Sequence, residues 1–120
     1  MKRVWGILIL MLLWLLIHKV DNLTKATHVI ATVYHPTGKK CADGSIADPS
    51  KRIVAVSRDL HRRYGGVLEF GDKIQVRGAN QHDGVWEVHD LMSGKWEKRI
   101  DFLVLPGNMG KWEVEIENGG

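Results

Sequence analysis

Hydrophobic and polar residues alternate along this chain in short runs that are typical of β-strands. The clearest run is residues 111–117, KWEVEIE, in which apolar residues occupy every second position and glutamates lie between them. Five further runs of five to seven residues are rich in β-branched side chains and are separated by glycine-containing or polar turns. These runs are residues 29–34, 52–57, 73–77, 85–90 and 99–105. The pattern predicts six short strands.

Between these runs, one segment has the character of a helix. Residues 58–64, RDLHRRY, allow one or two helical turns before Gly65 and Gly66 end them. Residues 35–50 contain two prolines and two glycines and predict a long loop. Six short strands with one short helix favour a mainly β fold, arranged as a compact barrel.

The first residues differ from the rest. Two basic residues precede an apolar run over residues 4–17, which is short for a membrane-spanning helix and typical of a secretory signal. We therefore expect a signal peptide or membrane-anchor helix at residues 1–20, a tether at 21–28 and the barrel domain at 29–118. This organisation predicts export to the periplasm or cell envelope, with membrane contact only through the N-terminal segment.

Composition narrows the range of partners. The formal net charge of +3 is mildly basic and weakly favours a polyanionic partner. Nucleic-acid binding would require aromatic residues interleaved with the basic residues, and near residues 58–63 only Tyr64 is close. The six histidines show no ligand spacing, so we expect no metal and no cofactor. Cys41 is a single cysteine and forms no internal disulfide, and we expect a monomer.

Two aspartates, Asp90 and Asp101, lie eleven positions apart and flank one loop. Alternation places Asp101 on the face opposite Phe102, so that it points outward from a barrel filled by apolar side chains. By the same rule, Asp90 shares the face of Val88, and His89 lies on the opposite face. A carboxyl group beside a second carboxylate can retain a proton near neutral pH, as cleavage of a glycosidic bond requires.

Six segments carry a family resemblance: ATVY, CADGS, RIVAVSRDL, FGDKIQV, GVWEVHD and KRIDFLV. They resemble the 3D (Asp-Asp-Asp) domain, which belongs to the double-psi β-barrel group with RlpA-like proteins, expansins and MltA-type lytic transglycosylases. The resemblance covers about residues 31–105, and its most specific element is the spacing of the aspartate pair.

The resemblance implies a six-stranded double-psi β-barrel with a groove that binds peptidoglycan or a related polysaccharide. It implies that Asp101 is the general acid and that Asp90 is its partner. It also implies substrate-binding roles for Thr32 and Tyr34 on the first strand. Ser57 stands where the family has its first aspartate.

Three questions remain open from the sequence. Trp96, in the loop between the aspartates, could stack on a sugar ring or anchor the loop. A lytic transglycosylase needs a single carboxylic acid, which fits Asp101, whereas Asp90 and Asp101 could instead cap loop amides at strand ends. The leading hypothesis is an exported protein with peptidoglycan lytic transglycosylase-like activity. The alternative is a non-catalytic peptidoglycan-binding or envelope-structural module.

Overall fold

The computed structural model describes residues 26–119. The expected signal or anchor segment, residues 1–20, therefore lies outside the described residues, as does most of the expected tether. Across residues 26–119 we find no helix with the length and hydropathy that crossing a membrane requires.

Six strands form a closed barrel in the order β1-β5-β2-β4-β3-β6. The pairs β1–β5 and β2–β4 are parallel, and the other four neighbouring pairs are antiparallel. This closed, mixed sheet confirms the mainly β, six-stranded barrel that the sequence predicts. The strands are β1 (Thr27–Tyr34), β2 (Ile53–Val56), β3 (Lys73–Arg77), β4 (Gly84–Leu91), β5 (Arg99–Leu103) and β6 (Trp112–Asn118).

The one or two helical turns predicted at residues 58–64 are present as two separate 3₁₀ turns, Arg58–Leu60 and Arg62–Tyr64, and do not form one continuous helix. His61 interrupts them with an extended backbone, at φ −92° and ψ 141°. Its ring nitrogen Nδ1 accepts the Arg63 backbone N–H at 3.1 Å. A β-bridge also ties His61 to Leu68, so the chain turns back before a helix can propagate.

An aromatic cluster centred on Phe102 fills the barrel. Phe102 is fully buried, and its ring centroid lies 4.5 Å from that of Trp86 and 5.3 Å from that of His82. Trp112, from the last strand, lies 6.1 Å from Phe102 and closes the cluster from the other side. The alternation predicted for β5 and β6 is therefore confirmed, with the apolar face turned to the interior.

A second, smaller apolar cluster lies outside the barrel. Cys41 packs there against Ile53 of β2 and Leu103 of β5, with Tyr34 and Ala47 partly buried around them. The long loop after β1 therefore covers the outer face of these strands with its own apolar residues. This packing places a layer of apolar side chains beside β4 and β5, the strands that carry Asp90 and Asp101.

Phe102→Ala should lower the free energy of unfolding by about 3–5 kcal/mol, because a large side chain is removed from a fully packed interior. Urea denaturation followed by tryptophan fluorescence measures the change. Val67→Ala is the matched control: Val67 is 81% exposed, and its loss should cost no more than about 0.5 kcal/mol. Equal losses in the two variants would contradict this assignment of the core.

Candidate active site

A β-bulge in β4 determines which way its last residues face. Val54 of β2 pairs with Val88, but the next residue, Ala55, pairs with Asp90 rather than His89. One extra residue on β4 therefore breaks the alternation, and two consecutive side chains, His89 and Asp90, both lie on the outer surface. The prediction that Asp90 shares the face of Val88, with His89 opposite, is wrong for this reason.

The bulge brings the two aspartates into one row. Ala55 pairs with Asp90 on one side and with Asp101 on the other, and Asp101 in turn pairs with Thr32 of β1. The row therefore crosses four neighbouring strands, β4, β2, β5 and β1. The short side chain of Ala55 separates the two carboxyl groups. Asp101 points outward, opposite the buried Phe102, as alternation predicts.

Asp101 is held in a half-buried position that favours its protonated form. Burial raises the pKa of Asp101 above its ordinary value, and the negative charge of Asp90 adds to the rise. The Thr32 hydroxyl, which donates a hydrogen bond to Oδ1, and the positive charge of Arg99 oppose this rise without cancelling it. A carboxyl group with a raised pKa can hold the proton that a general acid delivers.

Asp90 is bound by three donors. Its Oδ1 accepts the backbone N–H of Ala42 at 2.9 Å and that of Leu91 at 3.0 Å. Its Oδ2 accepts the hydroxyl of Tyr34 at 3.2 Å. Asp90 therefore joins β4 to the loop after β1, and its carboxylate is fixed in orientation.

Tyr34 lies at the end of β1, where its hydroxyl donates to Asp90. Burial, above all, raises the pKa of its phenol, and the charge of Asp90 raises it further. The phenol therefore stays protonated and serves as a donor. Of the predicted substrate-binding residues, Thr32 contacts Asp101 and Tyr34 contacts Asp90, so both are brought together with the aspartates.

Trp96 is connected to Asp101 through the side chain of Arg99. The guanidinium of Arg99 lies 4.0 Å from the centre of the Trp96 ring, and the Lys95 ammonium lies 4.9 Å from it. Arg99 is also the cation that lowers the pKa of Asp101. These contacts support a role for Trp96 in ordering the loop that leads to Asp101, and the predicted stacking on a sugar remains a prediction.

Ser57, which the resemblance to the 3D domain places at that domain's first aspartate, holds the backbone of β5 in this structure. It is fully buried, and its Oγ accepts the backbone N–H of Arg99 at 3.0 Å. Asp59, two residues later, accepts the backbone N–H of Lys98 at 3.0 Å. Both side chains therefore fix the chain immediately before Asp101.

The sequence reasoning missed a histidine held between two carboxylates. His89 Nδ1 lies 2.5 Å from Asp43 Oδ2, and His89 Nε2 lies 2.8 Å from Glu87 Oε1. The spacing of Glu87 and His89, two residues apart on a strand, is a signal that could have revealed their contact. No local pattern connects Asp43 to them, since it is 46 positions from His89. In the part of the chain that the structure describes, no cluster of three or more acidic, histidine or cysteine side chains is arranged to hold a metal ion.

No protein-family model and no curated protein matches the chain. Among solved structures, it is similar to the crystal structure of an apo expansin from Clavibacter michiganensis, with a TM-score of 0.57 and 24% sequence identity. The similarity covers 79% of this chain and 50% of that one, so the chain corresponds to about half of the expansin. This likeness shows the fold alone. The narrower resemblance to the 3D domain has no family-model match to support it.

Thr32→Val should raise the pKa of Asp101 further, because it removes a hydroxyl that stabilises the carboxylate while keeping the side-chain volume. A pH titration of the aspartate carboxyl carbons by NMR measures the change. The same substitution at Thr37, an exposed loop residue, is the control and should leave the titration of Asp101 where it was. An unchanged Asp101 titration in Thr32→Val would refute the role of this hydrogen bond.

Proposed function

We propose that this protein is exported to the cell envelope and acts on the glycan strands of peptidoglycan with Asp101 as its single acid. The observation that carries the proposal is the half-buried Asp101, whose pKa is raised beside Asp90 on the outer face of the barrel. The apolar run at residues 4–17 supports export. The net positive charge of the chain and the expansin-like fold support a cell-wall polysaccharide as the partner.

In the proposed reaction, Asp101 donates its proton to the glycosidic oxygen, and the bond to the leaving sugar breaks. The 6-hydroxyl of the sugar that retains the anomeric carbon then attacks that carbon, and the Asp101 carboxylate takes up the hydroxyl proton. The acid is regenerated and an anhydro sugar forms, so the reaction needs neither a carboxylate nucleophile nor water. Burial raises the pKa of Asp101, and the charge of Asp90, fixed by its three donors, adds to that rise.

A second candidate function is a non-catalytic peptidoglycan-binding or envelope-structural module. Two observations favour it. The carboxylate of Asp90 is engaged by Ala42, Leu91 and Tyr34, which is also what a loop anchor requires. In addition, Ser57, which accepts the backbone N–H of Arg99, is fully buried and stands where the 3D domain would have its remaining aspartate.

Incubation of the purified protein with peptidoglycan sacculi should release anhydro-muropeptides, which mass spectrometry detects. Asp101→Asn should reduce this release by about 10²–10⁴-fold, because the amide cannot donate the proton that general acid catalysis supplies. Asp48→Asn is the matched control, since the Asp48 carboxylate accepts hydrogen bonds from Ser50 within its own turn, and it should retain activity.

Sedimentation with the sacculi separates the two candidate functions. A wild-type protein that co-sediments with sacculi but releases no anhydro-muropeptides is a binding module. Activity that survives in Asp101→Asn would show that another group is the acid. A protein that neither binds nor cleaves sacculi would refute both functions.

A further inference from the structure

His89 makes contacts that only its charged form can satisfy together. Its two ring nitrogens face two carboxylates, Asp43 Oδ2 at 2.5 Å and Glu87 Oε1 at 2.8 Å. A neutral imidazole has a single N–H, whereas an imidazolium has two and can donate to both. Hydrogen bonds to both carboxylates at once therefore require the positively charged ring of His89, with a proton on each nitrogen. The side chains of His89 and Asp43 are 20% and 17% exposed, which limits screening of this contact by water.

The same contacts fix the loop to the barrel at two consecutive residues. Besides the side-chain contact, the backbone N–H of Asp43 donates to the carbonyl oxygen of His89 at 3.2 Å. The preceding residue, Ala42, donates its N–H to Asp90 Oδ1 at 2.9 Å. The bulge makes this possible, because it turns His89 and Asp90 to the same side. His89 and Asp90, which are adjacent on β4, therefore bind Asp43 and Ala42, which are adjacent on the loop.

We propose that His89 is a positioning residue of the site, which clamps residues 42–43 against β4 and thereby fixes the carboxylate of Asp90 beside Asp101. Its consequence for turnover rests on the proposed function, but the clamp itself does not. A neutral His89 must release one of its two carboxylates. Release of Asp43 loosens the loop and removes the Ala42 donor from Asp90.

The clamp should be strongest in a window of pH. Burial lowers the pKa of His89, but hydrogen bonds to Asp43 and Glu87 outweigh burial and raise it above its ordinary value. His89 therefore contributes fully below its unfolded pKa of about 6.5, and its contribution is lost as the pH rises through the folded value. The cleft of about 350 Å³ beside it also contains Asp48 and Lys51, whose charges have opposite signs.

Asp43 sets the acidic limit of this window. Burial raises its pKa, but hydrogen bonds from Ser45 and His89 outweigh burial and hold the pKa below its ordinary value. The contribution of Asp43 is therefore complete above its unfolded pKa of about 3.9 and is lost as the pH falls through the folded value. Loop docking should be greatest between these two limits.

Hydrogen exchange of the full chain, followed by NMR, tests the clamp without any substrate. The protection factors of the Ala42 and Asp43 amides, corrected for intrinsic exchange rates, should fall at least tenfold as the pH rises through the His89 titration. In His89→Gln they should be low throughout, and the carboxyl resonance of Asp90 should shift. His28→Gln is the matched control: His28 also contacts a glutamate, Glu115, but its side chain is 80% exposed.

Asp43→Asn provides an independent measurement if His89→Gln does not fold. It should lower the pKa of His89, observed through the imidazole resonances, because it removes a negatively charged partner. Protection at residues 42–43 that ignores both pH and His89→Gln would overturn the proposal. An unchanged His89 titration in Asp43→Asn would overturn it as well.

The sacculus assay then separates the clamp from the proposed function. A pH-dependent clamp in a protein that releases no anhydro-muropeptides supports the role of His89 in the loop and counts against the proposed turnover. Release that follows the amide protection of residues 42–43 across pH, and that falls in His89→Gln but not in His28→Gln, supports both. Release that stays constant while the protection is lost would show that Asp90 needs no such positioning.

Discussion

The meeting of the two candidate aspartates on one face depends on one extra residue in β4. Side chains of a regular strand alternate between the two faces, so an unbroken β4 would direct Asp90 toward the interior that Phe102 fills. A carboxylate there would lose its hydration without gaining its present donors, at a cost of several kcal/mol. The bulge after Val88 avoids this and delivers Asp90 to the outer surface. Bulges often redirect side chains in this way beside active sites.

Both aspartates lie on the outer surface of the barrel, but they differ in burial and in hydrogen-bond partners. Asp90 accepts hydrogen bonds from the loop, from its own strand and from Tyr34, and these fix its carboxylate in orientation. Asp101 is half-buried and has the hydroxyl of Thr32 as its hydrogen-bond donor. Two chemically identical side chains are therefore suited to different roles, as is common where one acid must keep its proton.

Much of the barrel was predictable, because residues 111–117 alternate strictly, residues 99–102 also alternate, and their apolar faces fill the interior. The outward direction of Asp101 follows from the same regularity. The direction of Asp90 was predicted wrongly because the alternation of Trp86, Glu87 and Val88 was extended across the consecutive polar residues His89 and Asp90, where the bulge depends on pairing with β2. The break between the two 3₁₀ turns at residues 58–64 was missed for a similar reason: the bridge from His61 to Leu68 is a contact that local propensity does not contain.

The closure of the barrel has a consequence for how the protein folds. β6 is the last strand in the chain order, yet it pairs with both β1 and β3. Until it emerges from the ribosome, those two strands present unpaired edges and the aromatic interior lacks Trp112. Strand pairings between distant residues form slowly, because the intervening chain must first be ordered. The nascent barrel should therefore remain open until β6 has been synthesised, and termination before β6 should leave an aggregation-prone sheet.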